Sequence, residues 1–237
     1  MSISVVIPAH NEEAHVGRCI ESILAHGGED IGEIIVVNNA STDRTAQVAS
    51  AFAKVRVVHE PKKGSNSARQ RGFLEATGDL VAFLDADSRI SDLWLTVLRS
   101  EFAAHPDMVC LSGPYRYEGI SPIAFLWTRY VWGTTSRIAQ FCTGHMISGT
   151  NFVAKREALR AIGGFDTSIP FYGDDVNLGR RLGKIGPMRF VGRFFVYTSG
   201  RRIAEYGLLK INWIYGMNYL WEMLFHRPYT ETAEDIR

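Results

Sequence analysis

The sequence predicts an α/β fold, a single domain in which a mostly parallel central sheet is flanked by helices, and three observations predict it. Short apolar runs alternate with stretches of helical periodicity from residue 3 to residue 84, the pattern of strands joined by crossover helices. Leu80–Leu84 is an unbroken run of five apolar residues, as expected of a central strand covered on both faces. Of the 237 residues, 46% are hydrophobic and 22% charged, which supplies one large core and excludes a disordered chain.

The elements follow in order. Residues 3–7 read as a strand closed by Pro8, and Val16, Cys19, Ile20, Ile23 and Leu24 then fall at helical spacing. Asn11 is placed to cap that helix, with Glu12 and Glu13 in the first turn where the helix dipole favours acids. A second strand covers residues 34–37, and Ser41 or Asp43 opens a helix that runs through Ala53. A third strand covers residues 55–58, and a helix over 65–76, ended by Gly78, leads into Leu80–Leu84. After residue 115 the pattern loosens: an aromatic helix over 121–140, a glycine-rich stretch at 144–151 and a turn at Gly163 and Gly164. A helix over about 174–184, strands near 188 and 194 and a long amphipathic helix over about 203–226 complete the chain. The single domain thus divides into a regular half to about residue 115, a looser part over 116–200 and a helical tail over 201–237.

Composition narrows the function classes. Lys and Arg number 26 against 25 Asp and Glu, a formal charge of +1, so no global basic field draws the chain to nucleic acid. Three scattered cysteines without a CxxC pair indicate neither a disulfide framework nor a structural zinc, and point to a reducing, cytoplasmic location. The N-terminal residues lack the basic region of a signal peptide, so no export is expected. The longest uncharged stretch, 138–154, carries several polar residues and falls short of the ~20 apolar residues of a spanning helix.

In open parallel sheets ligands bind beyond the carboxyl ends of the strands, and there the chain is polar throughout. Pro8-Ala9-His10-Asn11-Glu12 follows the first strand, Asn38-Asn39-Ala40-Ser41-Thr42-Asp43 the second, and Asp85-Ala86-Asp87-Ser88 the central one. Carboxylates at i and i+2 of an extended segment project the same way and repel unless a cation lies between them. Asp85 and Asp87 are therefore candidate metal ligands, with a solvated acidic loop as the alternative. So few hard oxygen donors suit Mg²⁺ or Mn²⁺, whose other positions go to water and a substrate's phosphates. Lys62, Lys63, Gly64, Ser65, Asn66, Arg69 and Arg71 form a local cationic cluster suited to a diphosphate, or else a solvated helix face. Neither a phosphate-loop motif of the GxxxxGK type nor GxGxxG occurs. Gly173-Asp174-Asp175 opens the late helix, either as plain caps or as a general base made stronger by burial beside Phe171 and Tyr172.

Taken together, these segments resemble the inverting family 2 glycosyltransferases, whose single-domain nucleotide-sugar-binding fold is called GT-A. The resemblance lies in residues 4–13, 37–45, 64–72, 78–87, 162–166 and 173–175, in the family's order and over residues 4 to about 182. It implies transfer of a sugar from a nucleoside diphosphate to an acceptor hydroxyl with inversion. In family terms the metal sits on Asp87, helped by Asp85 and flanked by Ala86, and neutralises the leaving diphosphate. Asp175 is the implied base, with Asp174 close to the sugar or acceptor. Pro8, Ala9 and Glu12 line the nucleoside pocket, Arg69 approaches base or phosphate, and Gly149 and Asn151 lie beside the sugar.

Asn38 and Asn39 stand where the family often has an acid for the nucleobase, and an amide there can accept from a uracil N–H. With Ser41 and Lys63 they complete the expected site for a UDP- or GDP-sugar. The Gln-x-x-Arg-Trp motif and spanning helices of processive synthases are missing, which favours a single-transfer enzyme. The competing readings are a sugar-phosphate nucleotidyltransferase, whose glycine-rich start is absent, and a non-catalytic nucleotide-sugar-binding protein.

Residues 208–225 carry only Lys210 and Glu222 as charges among many aromatic and aliphatic side chains, too apolar for full solvation. With Arg201 and Arg202 before and His226 and Arg227 after, this helix is suited to the inner membrane surface and a lipid-linked acceptor such as a polyprenyl carrier of an envelope glycan. Packing on the chain's own core and a homodimer contact are the alternatives. Phe125, Leu126, Trp127, Tyr130 and Val131 add a second apolar stretch.

Overall fold

The computed structural model describes residues 1–169, 173–225 and 229–230. Strand β1 (Ile3–Ala9) lies between β2 (Ile31–Asn38) and β4 (Leu80–Leu84) and runs parallel to both, with Val5 level with Ile34 and Ala82. Beyond β2 comes β3 (Val55–His59), also parallel. Side chains of these strands alternate between two cores. Ile7, Ile34 and Leu84 pack towards α1 (Val16–His26) and α4 (Trp94–Ala104), while Val6, Ile35 and Phe83 pack towards α3 (Ser65–Glu75) on the other face. Burial on both faces is why these strands read as unbroken apolar runs.

The connections depart from the sequence reading in two places. Asn11 adopts a left-handed φ of 51° and residues 12–15 form a turn, so α1 starts only at Val16. The reason is tertiary: the Glu12 and Glu13 amides donate to Thr45 Oγ1 (2.8 Å) and Asp43 Oδ2 (3.0 Å) across the sheet end. Helix α2 spans only Thr45–Ser50, with the Thr45 amide donating to Asp43 Oδ1 at 2.9 Å.

After β5 (Ser88–Ile90) and α4 come β6 (Cys110–Ser112) and β7 (Tyr115–Glu118). The aromatic helix is three pieces in series, α5 (Pro122–Trp127), a π-helical turn (Thr128–Trp132) and α6 (Gly133–Thr143). Then follow β8 (Asn151–Lys155), α7 (Arg156–Ala161), α8 (Asp174–Leu182), β9 (Met188–Phe190) and β10 (Val196–Ser199). The main sheet has the order β3-β2-β1-β4-β8-β6-β9, with β8 antiparallel to both neighbours and every other pairing parallel. A second sheet, β5-β10-β7, stands at the carboxyl end of β4. The expected single late helix is two, α9 (Arg201–Tyr206) and α10 (Leu208–Phe225), broken at Gly207, whose φ of 77° no helix accommodates.

Helix α3 approaches the sheet closely because Gly72 has no side chain. A Cβ there would lie 2.2 Å from Val6 Cγ1 and 3.1 Å from Val37 Cγ2. Gly72→Ala is expected to destabilise the fold by about 1–3 kcal/mol, the usual cost of overpacking, despite alanine's better helix propensity. A denaturant midpoint at or above wild type would refute this packing argument.

Candidate active site

The strand ends open into one cavity of about 1080 Å³, bounded by the ends of β1 and β4, the start of α3, the start of α8 and the helices of the second half. Its centre of charge is Arg69 on α3. The guanidinium is 6% exposed; it donates through Nη1 to Asp174 Oδ2 (2.6 Å) and through Nη2 to Asp85 Oδ1 and the Gly149 carbonyl (both 3.0 Å). One cation thus gathers the end of β4, the N-terminus of α8 and the chain entering β8. A side chain at Gly149 would meet both Arg69 and the Cβ of Asp175.

Asp85 and Asp87 do not lie on an extended segment. The Ser88 amide donates to the Asp85 carbonyl at 2.9 Å, closing a turn that carries the chain from the main sheet to β5. The two carboxylates consequently part: Asp85 meets Arg69, and Asp87 meets Arg201 Nη2 (3.0 Å) and accepts from Thr198 Oγ1 (3.3 Å). Each of the two carboxylates thus has an arginine beside it. Arg201, at the start of α9, also forms a two-pronged ion pair with the buried Glu12. The sequence reading sets Arg201 just before the late amphipathic helix; nothing local signals that it returns to the end of β1.

No three His, Cys, Asp or Glu side chains cluster closely enough for a metal among the described residues. Two carboxylates at a cavity wall still fit a hard divalent ion that draws most of its ligands from water and phosphate oxygens, and do not fit a site closed by protein alone.

Asp174 and Asp175 open α8 on the cavity wall. Burial raises the pKa of Asp174, with Arg69 opposing. Burial, and then the neighbouring Asp174 charge, push Asp175 up to about 7, although its Oδ1 accepts from the Val176 amide at 2.9 Å. An acid poised there holds or releases a proton near neutrality. Phe171 and Tyr172, the aromatic pair expected beside it, lie outside the described residues, as do His226 and Arg227.

Pro8, Ala9, Glu12, Asn39, Lys63, Arg69, Asp85, Ala86, Asp87 and Gly149 also line the cavity. Three other residues expected at the donor site are not on its wall. Asn151 is fully buried, with its amide accepting from Trp94 Nε1 (3.0 Å) and donating to the Phe194 carbonyl (2.8 Å). The Asn38 amide is turned to His59 Nδ1 at 3.2 Å, and Ser41 Oγ accepts from the Asn11 amide at 3.1 Å. Asn39 reaches the wall, but its amide donates to the Glu60 and Lys62 carbonyls and accepts from the Gly64 amide, so it shapes the loop before α3. Within the cationic cluster, Lys62 donates to Thr167, Asn66 to Asp166 and Ile169, and Arg71 pairs with Glu75.

A cavity at the carboxyl ends of parallel strands, with an acidic turn after the central strand and an acidic helix start on its wall, is the arrangement that the resemblance to GT-A folds implies. Residues 4–163 match the model for glycosyl transferase family 2, and the chain belongs to that family. YdaM of Bacillus subtilis, described as a probable glycosyltransferase, is 28% identical over 208 residues, covering 78% of this chain and 47% of YdaM. EpsJ of the same organism, an uncharacterized glycosyltransferase, is 35% identical over 103 residues, 42% of this chain and 30% of EpsJ. The chain therefore spans less than half the length of these relatives. Among solved structures, the glucosyl-3-phosphoglycerate synthase of Mycobacterium tuberculosis in complex with Mg²⁺ and UDP superposes with a TM-score of 0.65 and 26% identity, covering 94% of this chain and 78% of that one. The mannosyltransferase PcManGT of Pyrobaculum calidifontis, in complex with GDP-Man and Mn²⁺, has a TM-score of 0.68 at 21% identity, covering 82% and 56%; at that identity the likeness concerns the fold.

Proposed function

We propose that this chain transfers a sugar from a UDP- or GDP-sugar to an acceptor hydroxyl with inversion, assisted by Mg²⁺ or Mn²⁺. The observation that carries the reading is the convergence on Arg69 of Asp85 after the central strand and Asp174 beside Asp175, at one cavity wall in a member of this family. UDP with Mg²⁺ in one fold relative and GDP-Man with Mn²⁺ in another support the donor class.

Asp87 and Asp85 would hold the ion, which supplies positive charge to the leaving diphosphate. Arg201 and Lys63 add cationic charge at the same wall. Asp175 takes the acceptor's proton as the acceptor oxygen bonds to the anomeric carbon, and the bond from that carbon to the diphosphate breaks on the opposite face. The base stands near Gly149, on a cavity whose wall also includes residues of the second-half helices.

A panel of UDP- and GDP-sugars tested for thermal stabilisation with and without Mn²⁺ checks the donor. At a hundredfold excess over Kd one of them should stabilise by about 2.7 kcal/mol, roughly 5–10 °C in Tm for a chain of this size. Stabilisation by none of them overturns the proposal. Asp87→Ala should abolish the Mn²⁺-dependent part; if that part survives, the ion is held elsewhere.

A further inference from the structure

Helix α10 is built inside out. Ile211, Asn218 and Glu222 face inwards, and Glu222 is 0% exposed, accepting from Asn177 Nδ2 at 3.3 Å with Arg180 at 3.8 Å. The opposite stripe, at the complementary helical spacing, is Leu209, Trp213, Leu220 and Leu224, with Trp213 65% and Leu209 79% exposed. Two polar side chains, Asn218 and Glu222, are thus buried while this apolar stripe looks out.

The segment from α5 to α6 lies alongside. Trp132 donates its Nε1 hydrogen to Asn212 Oδ1 and packs edge-on against Tyr215, with ring centroids 5.5 Å apart. This segment too is apolar outside: Phe141 is 91% and Ile123 79% exposed. Of the nineteen large hydrophobic side chains exposed among the described residues, eight fall in residues 122–143 and five in Leu208–Phe225. Monomeric soluble surfaces do not normally concentrate apolar area in this way. No described helix is long and apolar enough to cross a membrane.

Charge selects the occupant. Arg129, Arg137 and Lys210 are the charged residues exposed on these two segments, and their one acid, Glu222, is buried. A twofold contact with a second copy would set this face, with its three cations, against itself. An anionic bilayer surface offers both the acyl region for the apolar stripe and counter-charge for the cations. The face is also continuous with the cavity, whose wall includes Trp127, Tyr130 and Leu220, all three exposed as well.

We infer that α10 and the α5–α6 segment form one interfacial docking surface for an anionic lipid bilayer, which places the cavity mouth at the headgroup level. The corollary, that the acceptor is presented from the membrane, rests on the transfer reading above; the docking does not.

The test is co-sedimentation of the purified chain with phosphatidylcholine vesicles containing about one-third phosphatidylglycerol, against phosphatidylcholine alone. Binding is expected to the anionic vesicles, and to fall on the order of tenfold when the phosphatidylglycerol is omitted or salt is raised to about 0.5 M. Trp213→Glu with Phe141→Glu, one outward residue from each segment and neither on the cavity wall, should abolish binding without altering nucleotide-sugar stabilisation. Absence of binding to anionic vesicles, or full binding by the double variant, overturns the inference. So does a lipid-free dimer in solution that the double variant dissociates, since the face would then belong to a second copy. Failure of the donor panel with vesicle binding intact would sink only the transfer reading.

Discussion

Asp175→Asn retains nucleotide-sugar binding and loses about 10²–10⁴-fold in transfer rate, the range general-base catalysis usually contributes. The substitution preserves shape and removes only the capacity to take a proton, so fold and donor affinity serve as internal controls. Because burial and the Asp174 charge push the Asp175 pKa up to about 7, the wild-type rate should climb as pH rises through about 7 and level off above. Stability moves the other way. Between the ordinary value of 3.8 and about 7 the folded chain holds a proton that the unfolded chain has released, so this group's contribution to stability falls as pH rises across that window and is constant beyond it. The asparagine variant lacks this loss, and its Tm advantage over wild type should widen from pH 5 to pH 8. Wild-type turnover in the variant, or a Tm difference that does not change with pH, would remove Asp175 as the base.

Arg69→Met should have the largest effect on the fold. The side chain keeps a similar apolar stem but leaves Asp174 and the Gly149 carbonyl without their partner inside the protein, and Asp85 without its ion pair. Breaking a buried ion pair from one side typically costs about 3–5 kcal/mol, here roughly 10 °C in Tm. Arg69→Lys should recover part of that loss, since one ammonium supplies charge but not the planar fork that reaches three acceptors at once. Full recovery by lysine would show that charge alone matters and that the fork geometry does not. Both variants should weaken donor binding, because the carboxyl ends of the strands lose the group that holds them together.

Much of the site was legible because it is local. A strand buried on both faces must be apolar, and its polar successors must sit at its end, so sequence pattern alone places Pro8, Ala9, Glu12, Asp85 and Asp87 in one region. The acids opening α8 were legible for the same reason, as a polar break before a helical period. Roles that depend on a partner were not. Asn38 and Asn39 follow a strand as a nucleobase site would, yet their amides are bound to His59 and to the loop before α3. Asn151 sits in a glycine-rich stretch suited to a sugar, yet it ties Trp94 to the chain before β10. Periodicity says that a residue is buried or turned, and not which group meets it.

The same limit applies to architecture. The alternation of strand and helix determined the parallel half of the sheet, but β8 enters antiparallel between β4 and β6, and a five-residue strand carries no mark of its direction. The apolar excess of residues 208–225 was plain from composition; that Glu222 faces inwards was decided by Asn177 and Arg180 of α8, and that Asn218 is buried was decided by Tyr229 and Thr230, which its side chain binds. The amino-acid order by itself therefore determined the fold class, the buried strands and the acidic strand and helix ends, all set by interactions within a few residues. Only the tertiary structure decided the charge pairing of the site, because its partners are far apart in the chain: Arg69 and Asp174 by 105 residues, Asp87 and Thr198 by 111, Glu12 and Arg201 by 189. Pairing over such distances follows from packing of the whole chain, which no local pattern encodes.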